Sequence, residues 1–337
     1  MDSAPLLPSA DTPMRVRGPD DLVQAIPYLL GFHPRESIVV VGMSGRLVSI
    51  TMRADLGIEP PEHMAMHLVE ALRRADVTEA VAVVYSEMWP TSAARPHLDV
   101  VVTLGVAAER AGILLTDGLL VARGRRWSYR CLDEECCPAE GVLIDDAPGL
   151  FVTEATVAGM VALPSRDEMV ALLDPVPGRD DLLDLIAGQE DAAIQAVLGG
   201  VARRRTRCVK RAIFAAARAA DTGAPRLPDD EIARFGVALS EIDIRDSVWM
   251  AIDDRRLDGF ELWRDLARRL PDPYAAAPLF LVGWSAWRSG NGTVAAVAAQ
   301  RAVESDPHYT AADLLLAALS RGLDPRRVPR LRVPRSA

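Results

Sequence analysis

The residues best suited to chemistry are cysteines. Three of the four crowd into Cys131-Leu132-Asp133-Glu134-Glu135-Cys136-Cys137-Pro138, directly after an expected strand, and the fourth, Cys208, stands far downstream. Three thiolates so close can supply three ligands to zinc, with Cys208 or a carboxylate completing the tetrahedron, although the Cys-x2-Cys pair of ordinary zinc sites is missing. Redox chemistry competes. Cys131 and Cys136 can pair, or one can act as a nucleophile, with Arg126 and Arg130 favouring a thiolate and Asp133, Glu134 and Glu135 opposing it. A third reading needs no chemistry: small buried cysteines anchor a compact corner against the sheet, their sulfurs directed apart into apolar surroundings. The structural arrangement is the one expected.

Other groups make weaker cases. His63 and His67 lie four apart on an expected helix, the spacing of a metal pair. The same face continues through Glu70 and Arg74, opposite Met64, Leu68 and Leu72, which is the pattern of a solvated polar face. His33 sits in the loop before the first strand, where a ligand-binding residue can lie, but no His-Asp-nucleophile set can be traced around it, so a packing role in that loop is expected. Gly290-Asn291-Gly292 falls between two helices, and Gly42-Met43-Ser44-Gly45 between two strands, so neither is a phosphate loop. The run Arg203-Arg204-Arg205-Thr206-Arg207 with Lys210 and Arg211 is the strongest basic patch. Its residues read as spread around a helix and paired with the protein's own carboxylates.

Composition narrows the function classes. A formal net charge of −9 disfavours nucleic acid and anionic membranes as partners, because both attract basic surface. Lys210 is the single lysine among 38 basic residues. That preference reads as the codon bias of a GC-rich genome, so arginine clusters carry little weight by themselves. The opening residues lack the basic start and apolar run of a secretory signal. The longest apolar stretch, residues 274–287, is too short to span a bilayer, contains Pro278, and suits a buried core helix. Four cysteines in 337 residues do not form a secreted disulfide framework. The expected setting is the cytoplasm, with no membrane association.

These groups must be positioned by an α/β N-terminal domain, a mixed sheet with flanking helices, followed by an all-α C-terminal domain. The expected division is a disordered lead at 1–13, an α/β domain at 14–150, an all-helical domain at 151–325 and a tail at 326–337. Helices are predicted over 19–30 (kinked or shortened by Pro27), 61–75 and 96–111, and strands over 37–43, 46–55, 79–86, 113–121 and 127–130, with a turn at 123–126. The uninterrupted apolar runs at 37–43 and 79–86 suit central strands covered on both faces. Beyond residue 150 strand signals stop. Ser165 and Glu168 form a capping box, and helices are predicted over 191–220, 229–239, 245–254, 259–270, 275–289, 293–305 and 311–321. Gly283, Ala295, Ala302 and Pro307 stand at the spacing of a TPR-like helical hairpin, which reads either as part of a peptide-binding groove or as one hairpin packed on its neighbours.

Several segments together resemble one family. They are Leu30-Gly31-Phe32-His33-Pro34 before the strand, Trp127-Ser128-Tyr129-Arg130-Cys131 with Cys136-Cys137-Pro138 and Gly141, and Ser165-Arg166-Asp167-Glu168. Ile244-Arg245-Asp246 and Ala286-Trp287-Arg288-Ser289-Gly290 with Asp306-Pro307 continue the series. In this order, over nearly the whole chain, they are similar to the actinobacterial family known as domain of unknown function 4192. The resemblance implies no activity, substrate or catalytic residue.

Two function classes follow. One is a non-catalytic binding or regulatory protein, its α/β domain taking a ligand and its C-terminal helices a protein partner. The other is a thiol-based redox or zinc-dependent protein centred on Cys131, Cys136 and Cys137. Zinc is the one cofactor the residues point to, and the sequence leaves oligomeric state open.

Overall fold

In the computed structural model, residues 18–45, 47–91, 95–131, 133–145, 147–157, 160–177 and 181–331 are described. The expected lead and the end of the expected tail lie outside them. Two compact units divide the described chain: residues 18–168 with 321–324, and residues 169–320 with 325–331. The first holds a six-stranded mixed sheet with helices, and the second is helical.

The sheet order is β2-β1-β3-β4-β5-β6. β1 (Ser37–Ser44) and β3 (Glu79–Tyr85) occupy its interior, as their unbroken apolar runs require, and seven of the eight β1 residues are buried. β2 (Leu47–Asp55) pairs antiparallel to β1, and β1 antiparallel to β3. β4 (Leu114–Ala122) is parallel to β3. A parallel pair needs a crossover, and α3 (Leu98–Arg110) supplies it. With α2 (Pro61–Arg74), α3 covers one face: Met64, Leu68, Leu72, Val101 and Leu104 pack on Ile38, Val40, Ala82, Val84 and Leu120. Side chains alternate across a strand, and the opposite-facing Val39, Val41, Val81 and Val83 are buried as well.

Several local expectations are corrected. Pro27 does not end α1 (Pro19–Leu30); its ring is buried in the last turn, and Gly31 (φ 81°) closes the helix. The turn after β4 is two residues rather than four. Arg123 and Gly124 both have positive φ, 48° and 75°, the twist that suits a tight hairpin, so β5 is Arg125–Ser128. β6 (Val142–Leu143) and α4 (Leu150–Val157), which packs on α1, carried no periodic signal. The helix expected over 191–220 is two, α6 (Asp181–Leu198) and α7 (Ala202–Ala220), broken where Gly200 adopts φ 68°.

In α5 (Arg166–Ala171) the Ser165 hydroxyl accepts the Glu168 amide at 3.2 Å, the N-cap half of the capping box. The remaining helices are α8 (Asp229–Ser240), α9 (Ile242–Asp253), α10 (Phe260–Arg269), α11 (Ala276–Arg288), α12 (Gly292–Ser305) and α13 (Thr310–Ser320). α11 is buried from Ala276 to Trp287, as its continuous apolar run demands. A Cβ on Gly283 would meet the Ala295 carbonyl at 3.2 Å, so glycine there lets α12 approach. Asn291 is the N-cap of α12, its side chain accepting the Val294 amide at 3.0 Å, which assigns Gly290-Asn291-Gly292 to helix termination and restart. Among the described residues no helix is long and apolar enough to cross a membrane.

Candidate functional site

The cysteine turn grows out of β5. Trp127 is 1 % exposed, and its indole donates to the Ala139 carbonyl at 3.0 Å. Gly141 (φ 78°) lies so close to that ring that a Cβ would stand 2.4 Å from it. Ser128 is buried too. Its hydroxyl donates to Asp117 at 2.8 Å and accepts the amides of Arg130 and Cys131, at 3.1 and 3.0 Å. The next turn is closed by the Cys137 amide, which donates to the Asp133 carbonyl at 2.7 Å. The chain thus leaves and rejoins a fixed tryptophan, holding residues 131 and 133–137 in a tight corner.

In that corner the sulfurs converge. Those of Cys131, Cys136 and Cys137 all lie within 4.8 Å of one another, and Cys136 and Cys137 are 4.0 Å apart. The expectation that they point apart is therefore corrected. The reason is local: the turn closed by Asp133 and Cys137 brings residue 137 back over residue 131. All four cysteines are free. Cys208 is exposed on α7 and is not a member of the cluster.

The three positions differ in character. Cys131 is partly exposed, and its pKa is lowered, first by the hydrogen bond from the Asp133 amide and then by the Cys137 thiol. Burial pushes the Cys137 thiol up to about 11. Cys136 is exposed. Arg126 is held by Asp20 through a two-pronged ion pair, one arm 3.0 Å long. Its pKa is raised, most by that hydrogen bond and further by the negative potential of Cys137 and Cys136.

A second group, missed by sequence reasoning, collects at the carboxyl ends of the parallel pair. β1 runs against β3, so Ser37 pairs with Tyr85 and the residue before β1 reaches the end of β3. Ser86 is buried, with its hydroxyl 3.3 Å from a Glu36 carboxylate oxygen and 3.2 Å from His97 Nε2, and it accepts the Met88 amide at 3.2 Å. Glu36 and His97 hold positive φ, 37° and 59°, conformations costing a non-glycine residue roughly 1–2 kcal/mol. A cavity of about 170 Å³ opens beside them, lined by Arg35, Glu36, Tyr85, Ser86 and Arg123 among others. Open α/β sheets bind ligands at this edge. The only sequence signal was a serine ending a buried strand; Glu36 and His97 are joined to it by topology alone.

The remaining candidates separate. Pro34, Arg35 and Glu36 line the cavity, but His33 does not; it is exposed, and its amide donates to the Leu163 carbonyl at 2.9 Å. Partial desolvation, with help from Arg35, lowers its pKa. His63 and His67 are exposed, and His67 faces Glu59 at 3.5 Å. The basic run is corrected in part: Arg203, Arg207, Lys210 and Arg211 line one groove with Thr206, Phe214 and the more distant Arg218, whereas Arg204 and Arg205 lie outside that lining and Arg205 pairs with Glu241 at 2.9 Å, as expected. Positions three, four and seven apart share a helix face, which a run of adjacent arginines disguises.

No curated protein and no solved structure matches the chain. A family model does match, over residues 19–326, and it takes in the cysteine turn, the sheet edge and the helical unit alike. The chain belongs to the family described as domain of unknown function DUF4192.

Proposed function

We propose that this is a zinc-binding protein whose metal is held by Cys131, Cys136 and Cys137, with the fourth position left to water or a small exchangeable ligand. The observation that carries the reading is the convergence of three free sulfurs within 4.8 Å. Tetrahedral ligands about 2.3 Å from zinc stand roughly 3.8 Å from one another, and the 4.0 Å between Cys136 and Cys137 is already near that value. The surroundings agree. An amide supports the Cys131 sulfur. Three protein ligands and one free position are the pattern of a site that takes an exchangeable group.

The test is the metal content of full-length protein grown with zinc and purified without chelator. Close to one zinc per chain is expected, lost when Cys131, Cys136 and Cys137 become serine and kept in Cys208→Ser. Zinc-free protein that cannot be reloaded, or a triple variant that keeps its metal, overturns the reading.

A second reading is favoured by the Glu36–Ser86–His97 contacts: the α/β unit takes a small polar ligand at its sheet edge, with Arg35 and Arg123 selecting negative charge. Protection against thermal unfolding by small carboxylates or phosphates, lost in Ser86→Ala and Arg123→Ala, would support it; no protection by any of them would end it. For the helical unit, the spacing of Gly283, Ala295, Ala302 and Pro307 supports a TPR-like reading of α11 and α12 and, with it, a protein partner.

A further inference from the structure

The groove along α7 stands out by its charge. Elsewhere in the helical unit many arginines are paired: Arg234 with Glu231, Arg245 with Asp246, Arg264 with Glu261, Arg269 with Asp229 and Asp265, Arg288 with Asp253. Arg203, Arg207, Arg211 and Arg218 are all exposed and none pairs with a described carboxylate. With Lys210 they line a groove of about 710 Å³, where Asp243 is the single carboxylate among the described lining residues. α7 itself contains no acidic residue. In a chain of net charge −9, this is a concentrated positive stripe against the overall sign.

Exposed apolar residues precede the stripe along the chain. Ile194, Val197, Leu198 and Val201, at the end of α6 and the turn after it, are 55 %, 66 %, 75 % and 51 % exposed. Val201 is the N-cap of α7, beside Ala202 at the mouth of the groove. Phe214, half-buried, adds an aromatic wall farther along. Exposed aliphatic side chains leading into unpaired guanidinia ask for an occupant that is apolar at one end and anionic along its length.

We propose that the α6 end and the α7 groove together dock an acidic amphipathic helix of a partner protein. The arginines from 203 to 218 span roughly 22 Å of helix, at 1.5 Å per residue, which a carboxylate-bearing helix of about four turns would match. A nucleic-acid strand would run beyond the stripe onto the acidic remainder of the chain, and an anionic bilayer would meet the same net negative charge of −9. Long-range charge attraction would speed encounter, and the aliphatic patch would fix register.

The test uses the full chain and a fluorescein-labelled helical peptide of about 15 residues, its glutamates repeating at helical spacing beside a leucine stripe. Fluorescence anisotropy should show binding that weakens as salt rises. Arg207→Glu with Arg211→Glu should cost roughly tenfold or more in affinity, and the same double variant should gain binding to the counterpart peptide carrying lysine for glutamate. Val197→Ser with Leu198→Ser should weaken binding without altering its salt dependence. No binding, or binding unchanged by the arginine reversal, overturns the proposal. So does tighter binding of a single-stranded oligodeoxynucleotide or of phosphatidylcholine–phosphatidylglycerol vesicles.

Discussion

At the scale of single residues, three cysteines a few positions apart occupy three environments. A thiol reacts as its thiolate, so a lowered pKa means more reactive form at neutral pH and a raised one means less. In the zinc-free protein, iodoacetamide near neutrality should therefore modify Cys131 well before Cys137. That order should persist as pH rises, until Cys137 ionises near its own value of about 11. Mass-spectrometric peptide mapping over time reads the order directly, and faster modification of Cys137 at neutral pH would contradict these environments. Zinc should protect the cluster while leaving exposed Cys208 open to the reagent. The sequence identified these cysteines as the chemical candidates, yet not that they converge, because convergence rests on backbone and side-chain contacts that close the corner, among them Cys137 to Asp133 and Ser128 to Cys131. His33 illustrates the converse. The loop it occupies does reach a cavity, but through Arg35 and Glu36, because the chain turns at Glu36 with positive φ before entering β1.

At the scale of elements, the corner is only as good as the tryptophan beneath it. Gly141 combines a left-handed backbone with direct contact to the Trp127 ring. Gly141→Ala should cost roughly 2–5 kcal/mol, from adverse backbone conformation and overpacking together. It should also reduce zinc retention, because residues 136 and 137 would be displaced. Denaturant unfolding and metal analysis of one variant check both outcomes. In the helical unit the corresponding element is the α9–α11 junction. Asp253 is buried, accepting from Trp284 Nε1 at 3.1 Å and from Arg288. Asp253→Ala leaves a partly buried guanidinium without its carboxylate and should cost roughly 3–5 kcal/mol. A loss below about 1 kcal/mol, the scale of an exposed pair, would show that water already shields this contact. Long periodic elements such as α2, and the continuous runs of β1 and β3, were legible in the sequence because burial on one or both faces writes a period into it. β6 is two residues long and α4 has no polar stripe, so neither had a period to read. The joint between α6 and α7 was legible only through Gly199-Gly200, whose meaning the surrounding helical residues obscured.

At the scale of the whole molecule, the α/β and helical units each have their own buried core, and the proposed zinc site lies wholly within the first. Chelation should lower the melting temperature of the transition that carries the sheet signal, while replacing Cys208 should not; calorimetry with parallel circular dichroism separates the two. The overall charge of −9 also sets how the α7 groove behaves, since steering toward an isolated positive stripe in an acidic molecule is screened by salt. The tri-thiolate zinc site is tested most directly by zinc-edge X-ray absorption of the full-length protein. Three sulfur ligands about 2.3 Å from zinc are expected, with one lighter ligand at roughly 2.0–2.2 Å. Fewer than three sulfurs, or a spectrum unchanged when Cys137 is replaced by serine, would contradict it.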